Sequence, residues 1–175
     1  MATQGRRSAL LTVGRVVPLV SHFTEPGIKI LENVYKGKQK DSVTRRTAAP
    51  HFAAGVPVFV LTSGRTFSAA EECAYDFQGL RRGTLVGETT GGGANHNEFV
   101  RVAGDFALSN SVGTVKSPFT GTNWEGTGVK PDVAVPAAEA LATAHALALE
   151  KLAAAADGPA RAKLAALAKQ VREKR

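Results

Sequence analysis

The sequence predicts an α/β domain followed by helices, and two observations support that prediction. The first is a strand–helix–strand pattern, in which the apolar run Val56–Thr62 precedes a helical stretch, Ala69–Leu80, and a second apolar run, Thr84–Gly87. Such a βαβ unit has parallel strands and a right-handed crossover. The second is the Ala- and Leu-rich segment Ala137–Glu173, which has helical periodicity. With 175 residues, the chain has the length of one domain.

The N-terminal part predicts little regular structure. Residues 1–13 are expected to form a disordered leader. The apolar stretch Val16–Phe23 fits a short helix, which Pro26 and Gly27 end. Residues 28–55 are polar and irregular in pattern, so we expect a long connection or one weak strand there.

The βαβ unit itself follows from hydrophobic patterning. Val56–Thr62 is a continuous run of apolar and β-branched residues, which is typical of a strand covered on both faces. Within the following helix the apolar positions recur at spacings of three and four and form one buried stripe, composed of Ala70, Cys73, Phe77 and Leu80. We therefore interpret Cys73 as a core thiol.

The segments after the βαβ unit are shorter. Phe99–Val102 and Phe106–Ser109 are expected to pair as a hairpin, and Val112–Lys116 to add a strand. Two prolines, Pro131 and Pro136, keep Val133–Val135 from being a central strand.

The C-terminal segment is expected to form two helices. The Gly158-Pro159 pair divides it into helices at 137–156 and 159–173.

Composition excludes several function classes. The net charge of +7 permits acidic partners, but the basic residues are scattered and lack interleaved aromatics, so they indicate solvated surface rather than a nucleic-acid site. The single cysteine rules out an internal disulfide, and no metal-ligand spacing occurs. No apolar stretch reaches the roughly 18 residues of a membrane span. Without a convincing signal peptide the cytoplasm is the default compartment.

Ser68 has two interpretations. With Glu71 three residues later it fits a capping box at a helix start. It also lies at a strand-to-helix turn, where a nucleophile stays exposed and the Ala69 amide can stabilise an oxyanion. The two roles are compatible.

The glycine-rich loop that follows, Gly87–Asn95 (GETTGGGAN), lacks the Lys-Ser or Lys-Thr of a phosphate loop and the glycine spacing of a dinucleotide site. Two alternatives remain: a mobile turn, or a backbone cradle in which Gly91, Gly92 and Gly93 bind an extended peptide.

A serine nucleophile usually needs a histidine. Of the four histidines, only His96 lies beside the glycine loop, and we take it as the candidate base. We expect His145, on the Ala-rich helix, to be a surface or packing residue, and His22 and His51 fall in the weakly patterned N-terminal part. Glu125, next to the only tryptophan, either orients a base or is simply exposed.

Two long blocks, TSGRTFSAAEECAYDFQGLRRGTLVGETTGGGANH and TNWEGTGVKPDVAV, resemble the tail-specific, or C-terminal processing, serine peptidase family. The similarity is greatest to the branch that includes interphotoreceptor retinoid-binding protein and the tricorn core. It is strong over residues 55–142 and weak over 14–26. The resemblance implies a crotonase- and ClpP-like fold of ββα units and cleavage of peptides or unfolded proteins near their C-termini, with no cofactor.

The resemblance also assigns roles. Ser68 falls on the nucleophile, Ala69 on an oxyanion donor, and Glu125 near a glutamate that helps to orient the base. The lysine of the serine–lysine branch would stand at Gly93, which excludes that dyad. The tricorn-like branch takes its histidine from upstream, where a DLRxNxGG-type strand is also expected, and neither occurs here. We therefore expect a core incomplete at its N-terminus.

On this basis the chain divides into the leader, a partial peptidase domain at 14–142 and a C-terminal helical extension at 143–175. Three functions follow. The first is a serine peptidase, or an inactive fragment of one. The second is a non-catalytic module that binds peptides or apolar ligands. The third is a remnant that forms homo-oligomers through an exposed sheet edge.

Overall fold

The computed structural model describes residues 13–48 and 50–173. Residues 1–12 of the leader predicted at 1–13 lie outside this range, and Val13 belongs to a helix instead. The chain forms four helices and seven strands over the described residues: α1 (Val13–Ser21), β1 (Lys29–Tyr35), β2 (Lys38–Val43), β3 (Phe59–Thr62), α2 (Ala69–Gly79), β4 (Thr84–Gly87), β5 (His96–Ala103), β6 (Phe106–Lys116), β7 (Val133–Ala134), α3 (Ala137–Ala155) and α4 (Gly158–Glu173). This mixed α/β architecture with C-terminal helices confirms the predicted fold class.

The βαβ unit forms a small parallel sheet with the strand order β3–β4–β7. Phe59 pairs with Thr84 and Thr62 with Gly87, and α2 makes the crossover between the two strands. The two-residue strand β7 lies at the sheet edge, as the flanking prolines predict. β3 is the opposite edge, and Leu61 is 43% exposed, so the prediction of a strand covered on both faces is wrong among the described residues.

The interpretation of residues 28–55 as a long connection or one weak strand is also wrong. They contain two antiparallel strands, β1 and β2, joined at Lys36 and Gly37. Both turn residues have positive φ, +48° and +74°, as tight hairpin turns require. The pattern hides this hairpin because Ile30 and Leu31 are both buried beside a register shift, which breaks the alternation of a strand.

The predicted hairpin between β5 and β6 is present and longer than expected. The strand predicted at Val112–Lys116 is the continuation of β6, which pairs with β1 as well as β5. The resulting antiparallel sheet has the order β2–β1–β6–β5. The hairpin carries a set of large apolar side chains that are exposed to solvent: Phe99, Val100, Val102, Phe106 and Leu108.

The main core lies between the two sheets, and α2 runs through it. Cys73 and Phe77 of α2 are buried, which confirms the predicted stripe at these positions and the core thiol. They pack with apolar residues of α1, β1, β4, β6 and the loop before β7, including Val16, Val20, Ile30, Leu31, Leu85, Val115, Trp124 and Val129. The helix that begins after Ser68 is therefore held on several sides.

α3 covers the other face of the parallel sheet. Ala140 and Ala144 are buried against Val86. α4 folds back along α3, and Arg172 donates two hydrogen bonds to Glu150, at 2.8 and 3.1 Å. Two C-terminal helices are present as predicted, although the boundary expected after residue 142 falls inside the continuous α3. No helix within the described ranges is long and apolar enough to cross a membrane.

Candidate active site

The turn between β3 and α2 is tied to its surroundings by polar contacts. The Ser63 amide donates to Thr66 Oγ1 at 3.0 Å, and the Gly64 amide donates to Glu88 Oε2, also at 3.0 Å. The other oxygen of Glu88 accepts the Ala137 amide at 2.9 Å. These contacts with Ala137 and Gly64 hold the pKa of the Glu88 carboxyl below its ordinary value. Glu88 thus links the turn to the start of α3.

Ser68 ends this turn in an unusual backbone conformation. Its φ and ψ are +54° and −125°, a combination that L-residues with a side chain rarely adopt. The residue is exposed and stands directly before the first turn of α2. A nucleophile at a sharp strand-to-helix turn has this arrangement, in which strain keeps the hydroxyl outside the helix.

The start of α2 is stabilised by contacts of Ser68 and Glu71 that do not involve the Ser68 hydroxyl. Ser68 and Glu71 have a capping-box arrangement. In one half of it, Glu71 Oε2 accepts the Ser68 amide at 2.9 Å. The Ser68 carbonyl oxygen accepts the amides of Glu71 and Glu72 at 2.8 and 3.0 Å. The first turn of α2 therefore has acceptors besides the Ser68 hydroxyl.

The Ala69 amide lies at the N-terminus of α2. It donates no hydrogen bond to any residue within 13–48 or 50–173, whereas the Ala70 amide donates to the Phe67 carbonyl oxygen at 3.2 Å. A free amide at a helix start carries partial positive charge. The oxyanion role predicted for Ala69 requires a donor of this kind.

Glu71 is fully buried and joins α2 to the glycine loop. Its Oε1 accepts the Thr90 hydroxyl at 2.5 Å and the Gly92 amide at 2.7 Å, and its Oε2 accepts the Gly93 amide at 2.8 Å besides that of Ser68. Four donors around one carboxylate compensate for its burial. The short-range spacing Ser68-x-x-Glu71 indicated only a cap, and local patterning gave no signal for the three long-range contacts.

The glycine loop has its amides already engaged. The Gly91 amide donates to the Thr66 carbonyl oxygen at 2.9 Å, and Glu71 takes those of Gly92 and Gly93. A cradle built from these three N–H groups is therefore not available to a peptide. The Phe67 ring lies on the loop instead, because a Cβ at Gly93 would come within 2.2 Å of its Cζ. The missing side chains make room for this aromatic ring.

Glu125 fixes the end of the same loop. Its Oε2 accepts the backbone amides of Ala94 and Asn95, at 2.7 and 2.8 Å. The neighbouring Trp124 is 2% exposed, and its ring centroid lies 5.0 Å from that of Tyr75. Glu125 therefore follows a buried, packed residue, and its carboxylate fixes the backbone of the two residues that precede His96.

His96, the predicted base, begins β5. Its Nε2 lies 3.3 Å from Asn33 Oδ1, and its ring makes an edge contact with Tyr35 at a centroid distance of 5.9 Å. Neither Ser68 nor Glu125 is hydrogen-bonded to this imidazole within the described part of the chain.

The remaining histidines lie away from Ser68. His22 Nδ1 is 2.6 Å from the Pro50 carbonyl oxygen, and His51 is near Glu25 at 4.0 Å. His145 is exposed on α3, as predicted.

A cleft of about 340 Å³ brings the predicted residues together. Its lining consists of Phe67, Ser68, Gly92, Gly93, Asn95, His96, Asn97 and Glu125. The structure thus places the predicted nucleophile, the candidate base, Glu125 and part of the glycine loop around one opening. Gly91 and Ala69 are not part of this lining.

Two carboxyl groups of α2, those of Glu72 and Asp76, contain buried oxygens without a hydrogen-bond partner in the described part of the chain. Glu72 Oε1 and both carboxyl oxygens of Asp76 are buried and unpaired within the described ranges. Burial raises the pKa of Glu72 to about 7 and that of Asp76 well above its ordinary value. Burial, with these carboxyl groups nearby, raises the pKa of the Cys73 thiol to about 12, so this thiol is not a nucleophile near neutral pH.

Three solved structures share this fold. A candidate peptidase from Parabacteroides merdae ATCC 43184 aligns with a TM-score of 0.59 and 21% identity, over 71% of this chain and 41% of its own. A photosystem II D1 C-terminal processing protease aligns with a TM-score of 0.55 and 19% identity, over 72% of this chain and 32% of its own. Mature CPAF aligns with a TM-score of 0.56 and 12% identity, over 76% of this chain and 38% of its own.

The chain therefore spans less than half the length of each of these structures. A family model described as "Peptidase family S41" matches residues 13–135, which include the turn at Ser68, the glycine loop and Glu125. The match covers most of the chain, and the predicted family is confirmed. This protein belongs to peptidase family S41.

Proposed function

We propose that this chain is a serine-type peptidase domain in which Ser68 is the nucleophile. The observation that supports this role is the backbone conformation of Ser68, an exposed residue at φ +54°. It precedes a helix whose first amide, that of Ala69, donates no hydrogen bond to another described residue. A serine that served only as a cap would not need a strained backbone, because Glu71 and the Ser68 carbonyl oxygen already satisfy the first turn. The strain is consistent with a functional site.

In the proposed reaction the Ser68 hydroxyl oxygen attacks the carbonyl carbon of a peptide bond and loses its proton to a base. The Ala69 amide and the N-terminus of α2 stabilise the negative charge that develops on the carbonyl oxygen. The amine leaves with a proton, and water then hydrolyses the acyl-enzyme ester. No step in this scheme requires a cofactor.

His96 is the base that we propose, because its imidazole lines the cleft of Ser68. To act, it must exchange its contact with Asn33 for one with Ser68, a change that substrate binding can favour. Glu125 is a positioning residue in this proposal. Its carboxylate accepts the amides of Ala94 and Asn95. These contacts position the start of β5, where His96 is the first residue.

Labelling with a serine-directed phosphonate tests the proposal. Wild type should form the adduct, and Ser68→Ala should not. Ser63→Ala is the matched control, because Ser63 lies on the same turn and should label like wild type. His96→Gln and Glu125→Gln should slow labelling. If wild type stays unlabelled and cleaves no peptide, or if Ser68→Ala still labels, the proposal is wrong for this chain.

A second candidate is a peptide-binding module without catalysis. The observation that favours it is the imidazole of His96, which contacts Asn33 and Tyr35 rather than Ser68. This alternative predicts peptide binding that survives both Ser68→Ala and His96→Gln, together with no phosphonate labelling of wild type.

A further inference from the structure

The proposed reaction places negative charge on the carbonyl oxygen of the substrate, and the Ala69 amide is one donor for it. Oxyanions of acyl transfer are commonly stabilised by several donors that converge on the same oxygen, and a side-chain amide can be one of them. A second donor is therefore expected from the rest of the Ser68 cleft, which the glycine loop, the start of β5 and Glu125 form.

The main chain of the glycine loop does not supply this donor, because the backbone amides of residues 91–95 are all engaged. The Gly91 amide donates to the Thr66 carbonyl oxygen, and the other four are accepted by the carboxylates of Glu71 and Glu125. A donor from this segment must therefore be a side chain.

Asn95 carries the only polar side chain of this segment, whose other residues are three glycines and an alanine. The residue lines the Ser68 cleft and is half-buried. Its carboxamide forms no hydrogen bond with any residue within 13–48 or 50–173. Since a carboxamide has two N–H donors, Asn95 offers what the main chain of the loop lacks.

The position of Asn95 relative to Ser68 is fixed by two glutamates. One oxygen of Glu71 accepts both the Ser68 amide, at 2.9 Å, and the Gly93 amide, at 2.8 Å. Gly93 thus lies within two hydrogen-bond lengths of the serine main chain, and Asn95 follows two residues later, a span of at most about 7 Å. Glu125 accepts the Asn95 amide at 2.8 Å. A donor on such a frame needs little reorganisation during the reaction.

We propose that the Asn95 carboxamide is a second oxyanion donor, which acts together with the Ala69 amide. The inference rests on the proposed function and adds a catalytic residue to it. When Ser68 attacks and its proton passes to the base, an N–H group of Asn95 donates to the former carbonyl oxygen of the substrate. Glu125 acts differently, because it positions the backbone and does not contact the substrate.

Asn97 is the other asparagine of the cleft lining, but two observations favour Asn95 over it. Asn97 is exposed, and it follows a register shift between His96 and Asn97 that separates it from the clamped loop. Its backbone is not fixed by Glu125, whereas that of Asn95 is. Asn97→Leu is therefore included in the test as the competing assignment.

The rate of labelling by a fluorophosphonate tests the role. Attack of Ser68 Oγ on phosphorus forms the O–P bond, places negative charge on the phosphoryl oxygen and expels fluoride. Labelling at several probe concentrations separates the maximal rate, kinact, from the apparent dissociation constant, KI. Asn95→Leu removes the donor at similar size, Asn95→Asp replaces it with a negative charge, and Asn95→Gln keeps it. Asn110→Leu, at an exposed asparagine of β6, is the control.

Asn95→Leu should lower kinact about 100-fold with KI unchanged, and Asn95→Asp should lower it further, whereas Asn95→Gln should retain part of the rate. Thermal midpoints should stay near that of wild type, because the Asn95 carboxamide supports no contact with a described residue. A merely structural role would instead lower the midpoint and affect the leucine and glutamine variants alike.

A wild-type kinact in Asn95→Leu and Asn95→Asp, a change confined to KI, or equal slowing by Asn110→Leu overturns the proposal. So does a loss of kinact that occurs in Asn97→Leu instead. In each of these cases Ser68 of the wild type is labelled, so the proposed function stands. A wild type that is not labelled at all refutes both.

Discussion

Glu71 holds Ser68 in place, because its carboxylate Oε2 accepts the Ser68 amide at 2.9 Å. The same oxygen accepts the Gly93 amide at 2.8 Å. One buried side chain thus connects the turn that presents the serine to the loop that faces it. The geometry of the cleft depends on this carboxylate as much as on the residues that line it.

Glu71→Gln should destabilise the fold. An amide supplies only one acceptor oxygen, so its NH₂ group would face two of the four donors that Glu71 accepts. Donors left unpaired in a buried site cost about 3 kcal/mol in total, and urea unfolding near neutral pH measures this loss.

The neighbouring substitution Glu72→Gln is the matched control. It is the same chemical change at a buried carboxyl whose Oε1 has no partner, so it should leave stability unchanged or increase it. Equal destabilisation by both substitutions would contradict the assignment of Glu71 as a hub of hydrogen bonds.

Stability should fall as pH rises from about 4.5 to about 7. Burial raises the pKa of Glu72 to about 7 in the folded state, whereas the unfolded chain keeps the ordinary value near 4.5. The folded state therefore binds more protons in this window, and the free energy of unfolding decreases with pH by roughly 3 kcal/mol, levelling off above pH 7. Asp76 acts in the same direction.

Urea titrations of wild type and Glu72→Gln at several pH values measure this effect. The variant lacks the ionisable group, so its advantage over wild type should grow from pH 5 to pH 7. Glu25→Gln removes an exposed carboxyl and is the control for general charge effects. An advantage of Glu72→Gln that does not depend on pH would refute the argument.

Ser68→Gly should be more stable than Ser68→Ala. Both remove the hydroxyl, but only glycine adopts φ +54° and ψ −125° without strain, which is worth about 1 kcal/mol. Thermal unfolding of the two variants measures the difference. A glycine variant no more stable than the alanine variant would mean that the turn is relaxed.

Gly93→Ala and Gly128→Ala should destabilise the fold by different amounts. At Gly93 the new Cβ would meet the Phe67 ring, which is 58% exposed and can swing into solvent, so we expect a loss below about 1 kcal/mol. At Gly128 it would meet the Thr90 carbonyl oxygen at 2.2 Å with φ at +71°. A backbone clash in that conformation should cost more than about 2 kcal/mol, and urea midpoints distinguish the two cases.

The sequence predicts the βαβ unit well because its apolar runs and its helical stripe are local signals, and Thr84–Gly87 is bounded as expected. It fails at β1 and β2, where a register shift places Ile30 and Leu31 side by side in the core and β2 has no apolar face. Strand patterning assumes regular alternation, and a bulge removes it.

For the candidate site, the strand-to-helix turn left Ser68 open as a cap or a nucleophile, and the family resemblance favoured the nucleophile. The cleft brings Ser68, His96 and Glu125 together. The hub formed by Glu71 could not be predicted, since its partners Thr90, Gly92 and Gly93 lie 19 to 22 residues away. The engagement of the glycine N–H groups could not be predicted for the same reason, because local sequence does not show which buried carboxylate accepts their hydrogen bonds.

The β5–β6 hairpin also affects how the protein behaves in solution. Phe99 and Phe106 are 78% and 79% exposed, and β5 is the outermost strand of its sheet. An exposed edge strand of this kind can pair with strands of neighbouring molecules. Samples should therefore become turbid and scatter more light as the protein concentration rises. Phe99→Lys and Phe106→Lys should reduce this aggregation, since neither ring belongs to the main hydrophobic core of the described residues.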